Sequence, residues 1–72
     1  MPRGSSLEVL GRNVHRLRNA AEFTQERLAE KCGISWKYLQ QIEAGQKNPS
    51  IHVLIKLRKQ LGCEWNDLFS KL

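Results

Sequence analysis

Between Thr24 and Gly45, hydroxyl residues and glycines alternate in a pattern that permits only short helices. Thr24 offers a side-chain oxygen to the free N–H groups of a first helical turn, and Gly33 can take the left-handed conformation on which such a helix ends. Ser35 repeats the cap and Gly45 repeats the stop. Phe23 before Thr24 and Ile34 before Ser35 can fold back as hydrophobic staples onto Leu28 and Leu39. Leu28, Ala29 and Cys32 share one face of the first short helix, and Leu39 and Ile42 share one face of the second. The two apolar stripes can therefore meet across a turn at Gly33, which leaves the other face of the second helix free for a partner.

The flanking sequence supplies the rest of an all-α fold. Leu10, Val14, Leu17 and Ala21 follow at steps of four, three and four, which predicts helix 1 over Leu7 to Ala21, with Arg12, Asn13, Arg16 and Asn19 on the remaining faces. Helix 2 starts at the Thr24 cap with Glu26 in its first turn, and helix 3 is expected from Ser35 to about Ala44. A polar loop from Gln46 to Pro49 follows, in which Asn48 and Ser50 are both able to cap helix 4. Helix 4 should turn Ile51, Leu54, Ile55 and Leu61 inward and stop at Gly62. Trp65, Leu68, Phe69 and Leu72 fit a short fifth helix. No strand alternation and no repeat is present, so residues 7–72 read as one five-helix domain. Residues 1–6, Met-Pro-Arg-Gly-Ser-Ser, read as a flexible N-terminal arm or a cloning remnant; basic arms of this kind can enter a minor groove.

Charge and cysteine usage narrow the chemistry. Twelve Lys and Arg against seven Asp and Glu give a net charge of +5 and a pI near 9.7, which favours phosphate-bearing partners, whether nucleic acid or an anionic membrane. No apolar run approaches the roughly 18 residues of a membrane span, and the expectation is a soluble, cytoplasmic protein without a membrane partner. Cys32 and Cys63 lack a CxxC pair or clustered histidines, so reduced thiols are expected, with no metal and no cofactor. His15 and His52 read as isolated surface residues. Asp67 is the only aspartate and no nucleophile has a recognisable base, which speaks against an enzyme and against a small-molecule substrate.

The ordered set Leu17-Arg18, Thr24-Gln25, Leu28-Ala29, Gly33-Ile34-Ser35, Leu39, Ile42-Glu43, Gly45, Pro49-Ser50, Leu54, Leu61-Gly62 and Leu68-Phe69 resembles the phage-repressor and Cro-like (Xre-like) helix-turn-helix domains. The resemblance runs from residue 10 to residue 69 and implies a five-helix, lambda-repressor-like domain that lays helix 3 in the major groove of double-stranded DNA. It places Trp36, Lys37, Gln40 and Gln41 at the bases and Gln25, Lys47 and Asn48 at phosphates, with Ser35 also among the DNA-binding residues. The chemistry is compatible: glutamine can pair with adenine N6 and N7, lysine with guanine, and Trp36 can pack on thymine methyls. It also implies a structural ion pair between Arg18 and Glu43. Arg58 stands where the family usually has a small residue, and Glu64 where it favours serine. The function so implied is a sequence-specific transcription regulator that binds a near-palindromic operator as a homodimer, paired around Gly62 to Trp65. The competing function is a protein-interaction module of the same fold, antitoxin-like or coactivator-like, for which Trp36 is the best support.

Overall fold

The computed structural model describes residues 5–72, and the expectation for residues 1–4 lies outside that range. Five helices follow in order: α1 (Ser6–Ala20), α2 (Gln25–Cys32), α3 (Trp36–Glu43), α4 (Ile51–Leu61) and α5 (Trp65–Leu68). Among the described residues none lies in a strand, and no helix is long and apolar enough to cross a membrane.

Each long helix opens on a side-chain oxygen. Thr24 accepts from Arg27 N–H at 3.0 Å, Ser35 from Tyr38 N–H at 3.0 Å and Ser50 from Val53 N–H at 3.2 Å. The choice at α4 thus falls on Ser50 rather than Asn48, and Pro49 sits one residue before the cap. At α1 the structure moves an expected boundary. Ser5 is the cap: its hydroxyl accepts from Glu8 N–H at 3.2 Å while Glu8 Oε1 accepts from Ser5 N–H at 2.9 Å. This capping box satisfies two otherwise free donors, so Ser5 and Ser6 belong to the folded domain and not to an arm. α5 begins after Glu64, where Asp67 Oδ2 accepts from Glu64 N–H at 3.1 Å.

Four helices also end alike. After α1, α2, α3 and α4 the chain passes through one left-handed residue, Glu22 (φ 64°), Gly33 (φ 68°), Gly45 (φ 76°) and Gly62 (φ 65°). The next N–H then reaches back to a carbonyl of the last turn: Phe23 to Arg18 at 3.1 Å, Ile34 to Ala29 at 3.0 Å, Gln46 to Gln41 at 2.8 Å and Cys63 to Arg58 at 3.3 Å. The glycines were legible stops, but the first of the four turns is carried by a glutamate.

Leu10, Val14, Leu28, Ala29, Cys32, Leu39, Ile42, Leu57, Leu61, Cys63 and Leu68 form the core, with Leu17, Phe23, Ile34, Tyr38, Val53, Leu54 and Trp65 packed against it. Three inward assignments on α4 change. Leu57 is fully buried, whereas Ile51 is 59% exposed and Ile55 is half-buried outside the core cluster. At 3.6 residues per turn Leu57 shares a face with Val53 and Leu61, and Ile51 points with Ile55 and Arg58 away from it. Asn13, expected on a polar face, is buried and its amide donates to Leu68 O at 2.9 Å and Ser70 O at 2.8 Å, tying the end of α5 to α1.

Candidate nucleic-acid interface

The position of α3 is set where α1 crosses its C-terminal end. Gly11 is buried there, and a Cβ on it would lie 2.5 Å from the carbonyl oxygens of Ile42 and Glu43. Gly45 repeats the close approach one turn further on, with its missing Cβ 2.8 Å from Glu8 Cα. Glycine here is a requirement of contact as much as of backbone freedom.

Glu43 anchors the same junction through its carboxylate, whose side chain is only 5% exposed. Arg18 Nε donates to Oε2 at 2.7 Å and Nη2 to Oε1 at 3.3 Å; Gln25 Nε2 donates to Oε1 at 2.9 Å; His15 Nδ1 lies 3.0 Å from Oε1. Arg18 Nη1 also donates to Phe23 O at 2.8 Å, so one guanidinium joins α1, the turn before α2 and α3. Burial pushes the Glu43 carboxyl up, but the hydrogen bonds from Arg18, Gln25 and His15, with the Arg18 charge, outweigh it and hold the group below its ordinary range.

His15 is a member of this cluster rather than an isolated surface residue. Its Nε2 lies 3.1 Å from Asn19 Nδ2, an obligatory donor, and its Nδ1 faces the Glu43 oxygen, an obligatory acceptor. Arg18 Nη2 lies 3.1 Å from the same Nδ1, which places His15 between the guanidinium and the carboxylate. Histidine on its own carries no such signal in a sequence; its spacing of three from Arg18 on a helix was the available clue.

The expected contact residues divide by what already occupies them. Ser35 is spent as the α3 cap. Gln25, first residue of α2 and half-buried, uses both ends of its amide: Nε2 on Glu43 and Oε1 on Trp36 Nε1, which donates to it at 3.3 Å. Trp36, first residue of α3, is 49% exposed. Lys37 and Gln40 are exposed and Gln41 half-buried. At about 100° per residue these three lie across the helix from Leu39 and Ile42. Among the described residues none of the three side chains has a hydrogen-bond partner. Lys47 and Asn48 are exposed in the loop after α3.

Arg58 is half-buried on α4. Its guanidinium carbon lies 5.2 Å from the centre of the Trp65 ring, and Trp65 stacks on Phe69 with centroids 5.5 Å apart. The aromatic face takes up part of the charge and Nη1 donates to Cys63 O at 3.5 Å, while Nε is buried without a hydrogen-bond partner. Both cysteines are free and buried, and desolvation raises both thiols above their ordinary value.

A family model described as helix-turn-helix matches residues 14–68. An HTH-type transcriptional regulator, y4dJ, from Sinorhizobium fredii is 36% identical over 61 residues, which is 85% of this chain and 79% of that protein. Control protein C.SmaI from Serratia marcescens is 37% identical over 64 residues, covering 89% of this chain and 76% of that one. Among solved structures, the restriction-modification controller protein C.AhdI from Aeromonas hydrophila superposes with a TM-score of 0.83 at 35% identity, over 88% of this chain and 96% of its own.

Proposed function

The chain belongs to the helix-turn-helix family of DNA-binding transcription regulators of the Cro/C1 type, and from that premise we propose that it binds a near-palindromic operator as a homodimer with α3 in the major groove. The observation that carries the reading is the unpartnered outer face of α3. Lys37, Gln40 and Gln41 offer donors and acceptors suited to guanine and adenine edges and are not used within the protein. The N–H groups at the start of α2 and the exposed Lys47 and Asn48 flank that face and supply phosphate contacts. The net charge of +5 adds the long-range attraction.

Pairing of two copies is supported by large apolar side chains left exposed outside α3. Ile51 is 59% exposed, Phe69 36% and Leu72 53%. Cys63 is buried and Trp65 is half-covered, so of the residues around the α4–α5 link it is the neighbouring Phe69 that offers exposed apolar surface to the proposed dimer contact. Two half-sites about 34 Å apart follow from such pairing. Within this reading the protein acts in the cytoplasm by occupancy of its site. Trp36, the main support for a protein-interaction module, has its indole N–H committed to Gln25 and so forms part of the same face as Lys37 and Gln40.

Selection of bound duplexes from a random library tests the proposal. A motif with two inverted half-sites is the expected result, with affinity falling about a thousandfold or more between 50 and 200 mM salt for six or more phosphate contacts. Failure to enrich any motif refutes it.

A further inference from the structure

Gln25, Glu43 and Trp36 form a chain of hydrogen bonds whose direction is fixed at one end. A carboxylate oxygen only accepts, so the Gln25 amide must turn Nε2 toward Glu43, at 2.9 Å. Its Oε1 then faces outward and accepts from the indole N–H of Trp36 at 3.3 Å. Arg18 Nε holds the other carboxylate oxygen, Oε2, and His15 Nδ1 shares Oε1 with the amide, so the acceptor that sets the amide's direction is fixed in place. The only polar atom of the Trp36 side chain is thereby consumed inside the protein, and what the half-exposed ring offers to a partner is apolar surface alone.

In the major groove the only apolar feature on a base edge is the C5-methyl group of thymine, or of a 5-methylated cytosine. We infer that Trp36 selects a pyrimidine C5-methyl group in each half-site, and that Gln25 is a positioning residue for it, set by Glu43, rather than a phosphate contact through its side chain. The inference rests on the proposed operator binding and adds to it what one position of the site reads. It separates Trp36 from Lys37, Gln40 and Gln41, whose free polar atoms read hydrogen-bonding patterns.

The test uses the full chain and the duplex recovered from library selection, with each thymine replaced in turn by deoxyuridine, which differs only by the methyl group. Removing one buried methyl contact is expected to weaken binding about fourfold per half-site at one position and to leave the others unchanged. Cytosine at that position should bind more weakly than 5-methylcytosine by a similar factor. Trp36→Ala should bind the thymine and uracil duplexes alike. So should Gln25→Ala, and also Gln25→Met, which keeps the length of the side chain and removes its amide. Melting curves identify which of the two Gln25 variants is folded for the comparison. Indifference of the wild-type protein to uracil at every position overturns the inference while leaving operator binding intact. A Gln25 variant that is folded and still discriminates fourfold overturns the positioning role. Absence of any selected motif overturns operator binding itself.

Discussion

Replacing Glu43 with alanine should be the most damaging single change on the α1–α3 junction, and its cost can be worked from the contacts. The substitution removes the carboxylate shared by Arg18, Gln25 and His15 and leaves the charged Arg18 side chain, 9% exposed, with only the neutral Phe23 O and the His15 ring beside it. Breaking one partner of a buried, hydrogen-bonded pair costs about 3 to 5 kcal/mol, most of it from the charge left behind. In a domain of this size each kcal/mol moves the melting temperature by roughly 4 to 8 °C, so a fall of at least about 12 °C is expected by circular dichroism at neutral pH. The pair is coupled, and Arg18→Leu with Glu43→Leu should therefore lose less than the sum of the two single changes, since no unpaired charge remains. The acid limb gives the sign of the effect. The Glu43 carboxyl is lowered on folding from its ordinary value of 4.5, so its contribution is complete above that value and is lost as pH falls through the folded one. The gap between wild type and Glu43→Ala should hold above about pH 5 and narrow in stronger acid. A Glu43→Ala protein within about 1 kcal/mol of wild type, or a gap that widens in acid, refutes this account of the junction.

Three further changes probe the helix connections. Gly11→Ala drives a Cβ to 2.5 Å from two backbone carbonyls that cannot rotate away, and urea titration should show a loss of about 3 kcal/mol or more. Glu22→Gly relieves a left-handed non-glycine residue at the end of α1 and should raise the melting temperature by several degrees, corresponding to about 1 kcal/mol. Asn13→Ala strips the donors from Leu68 O and Ser70 O; a loss of about 1 to 3 kcal/mol is expected, with amides of residues 65–70 showing the largest gain in hydrogen exchange.

Much of the fold was legible because it is written in local chemistry. Thr24 and Ser35 cap the helices that their hydroxyls predict, and Gly33 and Gly62 stop α2 and α4, since capping acts within a single turn. What escaped depends on contacts distant in sequence. α4 carries Ile51, Val53, Leu54, Ile55, Leu57 and Leu61, an apolar run too continuous for periodicity to choose a face, and only packing singles out Leu57 and leaves Ile51 outside. Asn13 and Gly11 look like an ordinary polar residue and a weak helix former until α5 and α3 are laid against them. At the candidate interface, the residue types on α3 were readable, but the commitment of Gln25 to Glu43 and Trp36 was not, because it requires knowing how α2 and α3 cross. Glu22 was hidden for another reason: its turn is specified by the helix that precedes it, not by the residue that occupies the strained position.

The double use of the Gln25 amide bears on how such a protein can change its preferred site over generations or by design. Lys37 and Gln40 are connected to nothing else, and each can be exchanged singly, like a key cut on a standing blank. Position 36 is different, because its residue is wired through Gln25 to the carboxylate that holds α3 in place. A replacement for Trp36 without an N–H frees the outward amide oxygen of Gln25 for a new donor at the interface, so new readouts there should arrive as matched changes at positions 25 and 36. Alphabets at 37 and 40 can drift; the one at 36 must move in pairs.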